Sequence, residues 1–203
     1  MNERGRLARY SEARLPTEWG EFKTRVYRGG DGREQVAIFC GDPSGEEVLA
    51  RVHSACFTGE ALGSLKCDCK PQLEGALQRI QAEGRGVVVY LFQEGRGIGL
   101  GNKLRAYALQ EEGADTVDAN TRLGFGEDER EYSDAVAMLE DLGARSVRLM
   151  TNNPLKVSAL EGAGVRVAAR EPLEVGRNSV NAGYLDVKRD RMGHALGGDG
   201  GQG

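Results

Sequence analysis

The stretch Pro71–Phe92, PQLEGALQRIQAEGRGVVVYLF, indicates the fold class of this chain. Its first part repeats apolar residues at the spacing of one helical face, at Leu73, Ala76, Leu77 and Ile80. Pro71 suits the first turn of a helix, and Gly84 suits its C-terminal end. Val87–Phe92 is an uninterrupted apolar run, which is typical of a strand buried on both faces. The stretch therefore predicts a helix followed by a buried strand.

Downstream of this stretch, helix and strand patterns continue to alternate. The predicted elements are a helix at Asn102–Glu112, a helix with the apolar face Ala135, Met138, Leu139 and Leu142 that ends at Gly143, a strand at Ser146–Thr151, a helix at Pro154–Glu161, a strand at Val165–Ala169 and a last helix at Asn181–Leu196. Such alternation is typical of an α/β core with a largely parallel sheet.

Upstream of it, glycine-rich turns separate shorter runs. Turn signals at 29–32 and 41–45 separate three strand-like runs, Phe22–Tyr27, Gln35–Cys40 and Glu47–Val52. These runs predict an antiparallel meander. We therefore expect an α/β fold in a single domain with a mixed sheet, in which the N-terminal meander precedes the alternating strands and helices. The domain is expected to span residues 1–196, and the glycine-rich tail 197–203 is expected to be disordered.

Composition excludes several classes of protein. A chain of 203 residues can bury a full core without disulfides. Its net charge of −4 argues against a general nucleic-acid coat, which needs a basic surplus. No apolar run approaches the roughly 18–20 residues of a membrane span. Residues 1–10 lack the apolar segment of a secretory signal, so we expect a cytoplasmic protein without a membrane or nucleic-acid partner.

Cysteine spacing suggests a metal site. Cys40 ends an apolar run and is expected to be a buried strand thiol, whereas Cys56, Cys67 and Cys69 are clustered. Three thiolates without a fourth protein ligand leave an open coordination position, as catalytic zinc sites do. The alternatives are three reduced thiols near the core, or a closed structural site with His53 as the fourth ligand.

A glycine-rich segment, QEGRGIGLGNK at 93–103, lies between a predicted strand and a predicted helix. Such turns expose backbone N–H groups, and helix N-termini attract anions. The segment matches neither a dinucleotide-binding fingerprint nor a P-loop. Arg96 and Lys103 favour a phosphate ligand here, and the alternative is a plain tight turn.

Two further polar segments adjoin predicted helices. The run at 126–130 contains Asp128 and Arg130, and its alternative interpretation is the charged start of a helix. Residues 151–156 follow a strand and begin a helix, which is another position that attracts anions. Pro154 is equally explained by helix geometry. His194 has no partner in the sequence and is expected to be structural.

Taken in order, these segments resemble the GTP cyclohydrolase II family. The resemblance extends from about Val48 to His194. It rests on Arg51-Val52-His53-Ser54, Cys56, Thr58-Gly59, Cys67-Asp68-Cys69, Gln72-Leu73-Glu74, residues 93–100, 102–110 and 113–117, Asp128-Glu129-Arg130, Leu149 and residues 151–154.

The resemblance implies the first step of riboflavin biosynthesis. In that reaction GTP is hydrolysed to a diaminopyrimidinone ribosylamine phosphate, formate and pyrophosphate. The family resemblance implies a homodimer that needs Zn²⁺ and Mg²⁺, with Cys56, Cys67 and Cys69 as zinc ligands and Mg²⁺ on the pyrophosphate oxygens. A strand beginning near Phe22 leaves no room for the butanone-phosphate synthase domain of some relatives, so we expect a monofunctional chain.

The resemblance also implies roles for individual residues. The expected GTP-binding residues are Arg51, Val52, His53, Ser54, Gln72, Glu94, Gly95, Arg96, Thr116, Thr151 and Lys156, with Gln72 and Glu94 as candidate readers of guanine. Asp128 matches the proton acceptor. Arg130 matches a nucleophile toward the α-phosphate, or acts as a charge clamp on the transition state. Tyr107 is expected to donate a proton or hydrogen bond to the opening ring, or else to pack in the core.

Three positions depart from the family pattern. Ala55 replaces a usual Glu, Lys70 a common Gly, and Phe92 a usual basic residue. Because Ala55 borders a predicted zinc ligand, a paralogue that retains the formyl group or feeds a secondary pathway is an alternative. A non-catalytic, zinc-stabilised nucleotide-binding module is another.

Overall fold

A computed structural model describes residues 7–113, 116–126 and 128–182. Its strands are β1 (Ala8–Thr17), β2 (Gly20–Arg28), β3 (Glu34–Cys40), β4 (Val48–Ser54), β5 (Gly86–Leu91), β6 (Val147–Met150) and β7 (Val167–Glu171). Its helices are α1 (Phe57–Glu60), α2 (Cys69–Glu83), α3 (Gly99–Glu111), α4 (Thr116–Arg122), α5 (Ser133–Asp141) and α6 (Pro154–Gly162), with a 3₁₀ helix at Glu94–Gly97.

The strands form one mixed sheet in the order β1-β2-β3-β5-β4-β6-β7. The pairs β1–β2, β2–β3 and β3–β5 are antiparallel, whereas β5–β4, β4–β6 and β6–β7 are parallel. The predicted α/β class with a mixed sheet and an antiparallel N-terminal part is therefore confirmed.

The composition of the meander was predicted wrongly. Its three strands are β1, β2 and β3, and the predicted third strand at Glu47–Val52 is instead β4, parallel to β5 and β6. β1 was not predicted because its sequence shows no alternation of apolar and polar residues. Nearly all of its side chains are exposed. β4 is buried along six of its seven residues, as expected of a strand covered on both faces.

Helices cover both faces of the sheet because strand side chains alternate in direction. On one face, Val87, Val89 and Leu91 pack with residues of α5 and α6, including Met138 and Leu160. On the other face, Val88 of the same strand packs with apolar residues of α2. The predicted apolar face of α2 is confirmed, since Ala76, Leu77 and Ile80 are buried.

Helix boundaries differ in instructive ways from the prediction. α2 begins at Cys69, two residues before Pro71, and ends as predicted at Gly84, whose φ of 74° is left-handed. α1 and α4 are too short to show a helical period and were not predicted. The run at 126–130 is not a helix start, because α5 begins only at Ser133.

Cys40 is partly buried at the end of β3. Most of the predicted helix at 181–196, His194 and the tail 197–203 lie outside the described residues.

Parallel strands bring their carboxyl ends to one edge of the sheet. The loops after β4, β5 and β6 begin at Ala55, Phe92 and Thr151 and therefore leave the sheet side by side. In open α/β sheets this edge is where ligands bind. Within the described ranges, no helix is both long and apolar enough to cross a membrane.

Candidate active site

Three cysteines meet at this edge. Cys56 is the second residue after β4, Cys67 lies in the following loop, and Cys69 begins α2. Their sulfur atoms all lie within 4.8 Å of one another, and the Cys56 and Cys67 Sγ atoms are 3.7 Å apart. Among the described residues, this is the one group of three or more His, Cys, Asp or Glu side chains close enough to hold a metal ion.

The thiol group suits a soft divalent ion. Thiolate ligands favour zinc over hard ions such as Mg²⁺. The α1 turn approaches closely only because Gly59 lacks a side chain. A Cβ added there would lie 2.8 Å from Cys67 Sγ and 3.2 Å from Cys56 Sγ. Three thiols fit a zinc site with one position left for a non-protein ligand.

The thiols differ in acidity. Contacts with the Cys67 and Cys69 thiols and with the Lys103 ammonium lower the pKa of Cys56 far below its usual range. The contact with Cys56 raises the pKa of Cys67, and contacts with both other thiols raise that of Cys69. Of the three thiols, Cys56 is the one that contacts the Lys103 ammonium, at 3.0 Å.

The Glu60 carboxylate fixes the loop around Cys56. Its Oε1 accepts the Cys56 N–H at 3.0 Å and lies 2.8 Å from His53 Nε2, and its Oε2 accepts the Tyr90 hydroxyl at 2.6 Å. Burial lowers the pKa of His53, so this ring is neutral near pH 7. Because Nε2 faces Glu60 and the ring is outside the thiol group, the alternative of His53 as fourth ligand is wrong. Ala55 lacks a carboxylate, and the carboxylate beside Cys56 comes from Glu60.

The glycine-rich turn has an unusual backbone. Gly95, Arg96, Gly97 and Gly99 all have positive φ, at 61°, 59°, 94° and 84°. The left-handed conformation costs a residue with a Cβ about 1–2 kcal/mol, so the conformation of Arg96 is maintained by its surroundings. The predicted order of strand, turn and helix is confirmed.

Glu94 connects this turn to the cysteine loop. Its Oε1 accepts the Lys103 ammonium at 2.9 Å and the Gly95 N–H at 2.8 Å, and its Oε2 accepts the Phe57 N–H at 2.6 Å. Only one lone pair, on Oε2, is left without a protein donor in these contacts. Lys103 was expected beside a phosphate, but its ammonium lies 3.0 Å from Cys56 Sγ.

Arg51 is buried in β4, close enough to Asp68 and Cys69 for their charges to act on it. It donates to the Met150 carbonyl at 2.9 Å and to the Gln72 side chain, which in turn donates to Asp68. Burial lowers the pKa of Arg51 to about 10. Its buried Nε has no hydrogen-bond partner in the structure. The network places Gln72 at the start of α2, close to Cys69.

Asp128 and Arg130 form an ion pair in the loop before α5. Asp128 Oδ1 accepts Arg130 Nε–H at 2.7 Å, and Oδ2 accepts from Arg130 Nη2. Burial alone would raise the pKa of Asp128, but the hydrogen bonds from Arg130 outweigh it and the pKa lies below its usual value. The charge of Arg96 acts in the same direction, which places the glycine-rich turn beside this pair.

The other predicted residues are distributed around the same edge. Lys156 is buried at the start of α6 and donates to the Val52 carbonyl at 2.9 Å, and Thr151 Oγ1 accepts the Asn153 N–H at 3.1 Å. Ser54 Oγ accepts from Gln93 at 3.1 Å. The Tyr107 ring centre lies 5.8 Å from Lys103 Nζ. Thr116 begins α4.

Comparison with known proteins identifies the family. The model of the family described as GTP cyclohydrolase II matches residues 8–172, which is most of the chain. The chain belongs to the GTP cyclohydrolase II family. The prediction of an enzyme of this family is thereby confirmed, and the family belongs to riboflavin biosynthesis.

Individual relatives agree with this assignment. The chain is 53% identical to GTP cyclohydrolase-2 of Neisseria gonorrhoeae over 191 residues, covering 94% of this chain and 97% of that protein. Against GTP cyclohydrolase-2 of Actinobacillus succinogenes it is 53% identical, covering 94% and 89%. It is also 53% identical to the riboflavin biosynthesis protein RibBA of Chlorobium phaeovibrioides, covering 94% of this chain and 47% of that one.

A solved structure is similar only in part. The two-domain 3,4-dihydroxy-2-butanone 4-phosphate synthase RibBX of A. baumannii aligns at a TM-score of 0.46 and 21% identity, covering 86% of this chain and 41% of that one. A similarity this weak has no bearing on function.

Sequence reasoning missed two residues of this site and one contact. Glu60, Tyr90 and the role of Lys103 at Cys56 had no separate signal in the chain. Glu60 lies four residues after Cys56, and that spacing on a short helix is the one clue that was available.

Proposed function

We propose that this protein hydrolyses GTP, opens the imidazole ring of guanine, and releases formate and pyrophosphate. The observation that supports this proposal is the position of the thiol group at the same sheet edge as the glycine-rich turn and the Asp128–Arg130 pair. The thiol group suits chemistry at the base, whereas the turn and the Asp128–Arg130 pair suit the triphosphate at the opposite end of the nucleotide. The product is then a diaminopyrimidinone ribosylamine phosphate.

The base end of the nucleotide is assigned to the thiol group. Zinc held by Cys56, Cys67 and Cys69 would supply Lewis acidity that lowers the pKa of water toward about 7. One water opens the ring at C8, and a second removes that carbon as formate. Tyr107 is the candidate donor to the ring nitrogen that is released, because it lies one helical turn from Lys103 on α3.

Guanine is assigned to the neighbouring polar groups. Gln72 is the better candidate reader, since its amide retains one N–H and one lone pair after its bonds to Arg51 and Asp68. Glu94 keeps only a lone pair on Oε2 for a guanine N–H. Arg51, Val52, His53 and Ser54 form the strand end against which the nucleotide would lie.

The triphosphate end is assigned to the turn and the cations beside it. Gly95 and Arg96 present the turn, and Lys156, Thr151 and Thr116 complete the expected contacts. The carboxylate of Asp128 accepts from Nε and Nη2 of Arg130, and this ion pair keeps the guanidinium protonated. A protonated guanidinium is a poor nucleophile, so we favour Arg130 as a charge clamp on the α-phosphate in the transition state.

Mg²⁺ is expected to arrive with the substrate. The metal-binding group among the described residues is made of thiols, which Mg²⁺ does not favour. Mg²⁺ commonly keeps several waters and binds through substrate phosphates. We expect the active protein to be a cytoplasmic homodimer.

Product analysis tests the proposal. Purified protein is incubated with GTP and Mg²⁺, and formate and pyrophosphate are measured separately, with the pyrimidine product identified by mass. The proposal predicts both products in equal amounts. Pyrophosphate without formate would instead support the formyl-retaining paralogue, to which Ala55 points. Neither product, with GTP still bound, would support the non-catalytic binding module.

A further inference from the structure

We propose that Lys103 is a positioning residue of the metal site, which fixes the Cys56 thiolate and ties it to the glycine-rich turn. This inference rests on the proposed zinc-dependent function. It also corrects the expectation that Lys103 serves a phosphate.

The contacts of the ammonium carry the inference. Lys103 Nζ lies 3.0 Å from Cys56 Sγ, 2.9 Å from Thr58 Oγ1 and 2.9 Å from Glu94 Oε1. A lysine ammonium has three N–H donors, and each has an acceptor here. Because all three donors are engaged, Lys103 has none left for a phosphate oxygen.

Burial makes these contacts strong. The Lys103 side chain is 12% exposed and that of Glu94 14% exposed. Charge-assisted hydrogen bonds are about twice as strong as neutral ones, and a low local dielectric strengthens them further. The position of the Lys103 ammonium relative to Cys56 is therefore fixed.

The charges at the site explain what the ammonium adds. Three thiolates around a divalent ion give a net charge of minus one, which weakens the ion as a Lewis acid. A donor hydrogen bond to one sulfur withdraws electron density from it and offsets that negative charge. Lys103 thus adjusts the thiol group for chemistry at the base, while its bond to Glu94 holds the ammonium in place beside Cys56.

Loss of Lys103 should therefore have different kinetic and spectroscopic effects from loss of a phosphate ligand. A phosphate ligand lost from the turn raises KM for GTP and slows pyrophosphate release. A positioning residue of the thiol group, by contrast, alters the metal's spectrum and slows formate release, because outer-shell partners typically contribute about 10- to 100-fold in activity.

Cobalt substitution measures the first effect without turnover. The full-length protein is loaded with Co²⁺ in place of zinc, and the sulfur-to-cobalt charge-transfer band is recorded without nucleotide. Lys103→Met and Lys103→Gln should move the band to longer wavelength, because the sulfur loses its charged hydrogen-bond donor. The band of Lys103→Arg, which keeps the charge and the donors, should stay closer to the wild-type wavelength. Lys70→Met is the matched control, since this half-exposed lysine adjoins Cys69 and faces Glu74.

The same variants are then assayed with GTP. Formate release by Lys103→Met should fall about 10- to 100-fold, while the KM for GTP stays within about threefold. An unshifted cobalt band in both neutral variants would overturn the inference, as would a raised KM with normal formate kcat. So would an equal shift in Lys103→Arg and Lys103→Met. Circular dichroism identifies misfolded variants, and Lys103→Gln keeps the test open if Lys103→Met fails to fold.

The proposed function fails separately. If the wild-type protein binds neither zinc nor cobalt at the thiols, the zinc-dependent function is wrong and the inference is overturned with it. If the wild-type protein binds metal and releases formate but the variants match it, only the inference is wrong.

Discussion

The Arg96 carbonyl accepts the N–H of Glu129 at 3.0 Å, and this bond joins the glycine-rich turn to the loop that carries Asp128 and Arg130. The next residue, Gly97, makes the contact closer still. A Cβ added to Gly97 would lie 2.6 Å from the Glu129 carbonyl oxygen. The φ of Gly97 is 94°. The turn and the loop of Asp128 and Arg130 therefore meet backbone to backbone, with no room for a side chain.

Gly97→Ala should separate the two segments. The new methyl group meets backbone, which cannot rotate away, and the positive φ adds strain, so we expect a loss of about 1–3 kcal/mol in the free energy of unfolding. Pyrophosphate release should fall more than GTP binding, because the Asp128–Arg130 pair moves relative to the turn. Urea denaturation and product assays check both effects.

Gly101→Ala is the matched control for Gly97→Ala. Gly101 lies in α3, and a Cβ there meets nothing within 4 Å. Because alanine is favoured over glycine in a helix by roughly 0.5–1 kcal/mol, this variant should be as stable as wild type or more so. A Gly97→Ala protein as stable and active as Gly101→Ala would show that the contact does not matter.

Arg130→Ala should abolish both products while part of the GTP binding survives. The guanidinium is proposed to act on transition-state charge, so its loss lowers kcat more than ground-state affinity. Lys at this position keeps the charge but loses the paired hydrogen bonds of Nε and Nη2 to Asp128, so Arg130→Lys should recover only part of the rate. Near-normal pyrophosphate release by Arg130→Ala would contradict a role of this residue in catalysis.

Cys67→Ser should separate the two hydrolyses. A serine hydroxyl is a far weaker zinc ligand than a thiolate, so formate should disappear while GMP and pyrophosphate still form, more slowly. Wild-type protein should hold close to one zinc per chain by metal analysis. Cys40→Ser is the control, because Cys40 lies outside the thiol group.

Folding of Cys67→Ser must be verified, since zinc bound at these thiols would also hold the loop from Cys56 to Cys69. A well-folded, zinc-free Cys67→Ser protein that makes formate at the wild-type rate would refute the assignment of zinc to the base. Full zinc retention in a protein with both Cys67→Ser and Cys69→Ser would refute the site itself.

Asp141 gives a pH-dependent prediction for stability. The Tyr27 hydroxyl donates to its Oδ2 at 2.7 Å, and Arg9 Nε–H lies 2.7 Å from the same oxygen. Burial alone would raise the pKa of Asp141, but hydrogen bonds from Arg9 and Tyr27 outweigh it and hold the pKa below its usual value. The carboxylate therefore attaches the exposed β1 strand to the end of α5.

Asp141→Asn should lower the free energy of unfolding by about 1 kcal/mol near neutral pH. A carboxyl whose folded pKa is depressed stabilises the fold above its unfolded pKa of about 3.9, and this contribution disappears as pH falls through the folded value. The difference between wild type and variant should therefore shrink below about pH 4. Urea denaturation from pH 7 to pH 3 measures it, and a constant difference would refute the prediction.

GTP should be preferred over ATP by at least about 100-fold in kcat/KM, because adenine leaves buried polar groups of a guanine site unpaired. Gln72→Ala should reduce this ratio, since Gln72 is the proposed reader. Competing assays with both nucleotides measure the ratio. Comparable turnover of ATP and GTP by the wild-type enzyme would contradict a guanine-specific site.

Local patterns were enough to predict much of this fold. The apolar face of α2 and the run at 87–92 place a helix and a buried strand correctly, since burial leaves a periodic trace in a single segment. Cysteine spacing likewise predicted a group of three thiols. β1 left no such trace, because its side chains face solvent on both sides and pairing with β2 alone makes it a strand.

The sequence by itself determined the fold class, the thiol group and the family to which the chain belongs, because short segments carry these signals. Tertiary structure alone decided that β4 lies between β5 and β6, since strand order depends on packing between distant segments. It also brought the Lys103 ammonium to the thiol of Cys56, 47 residues away in the chain. That position depends on where a buried ammonium finds three acceptors, and only the assembled fold provides them.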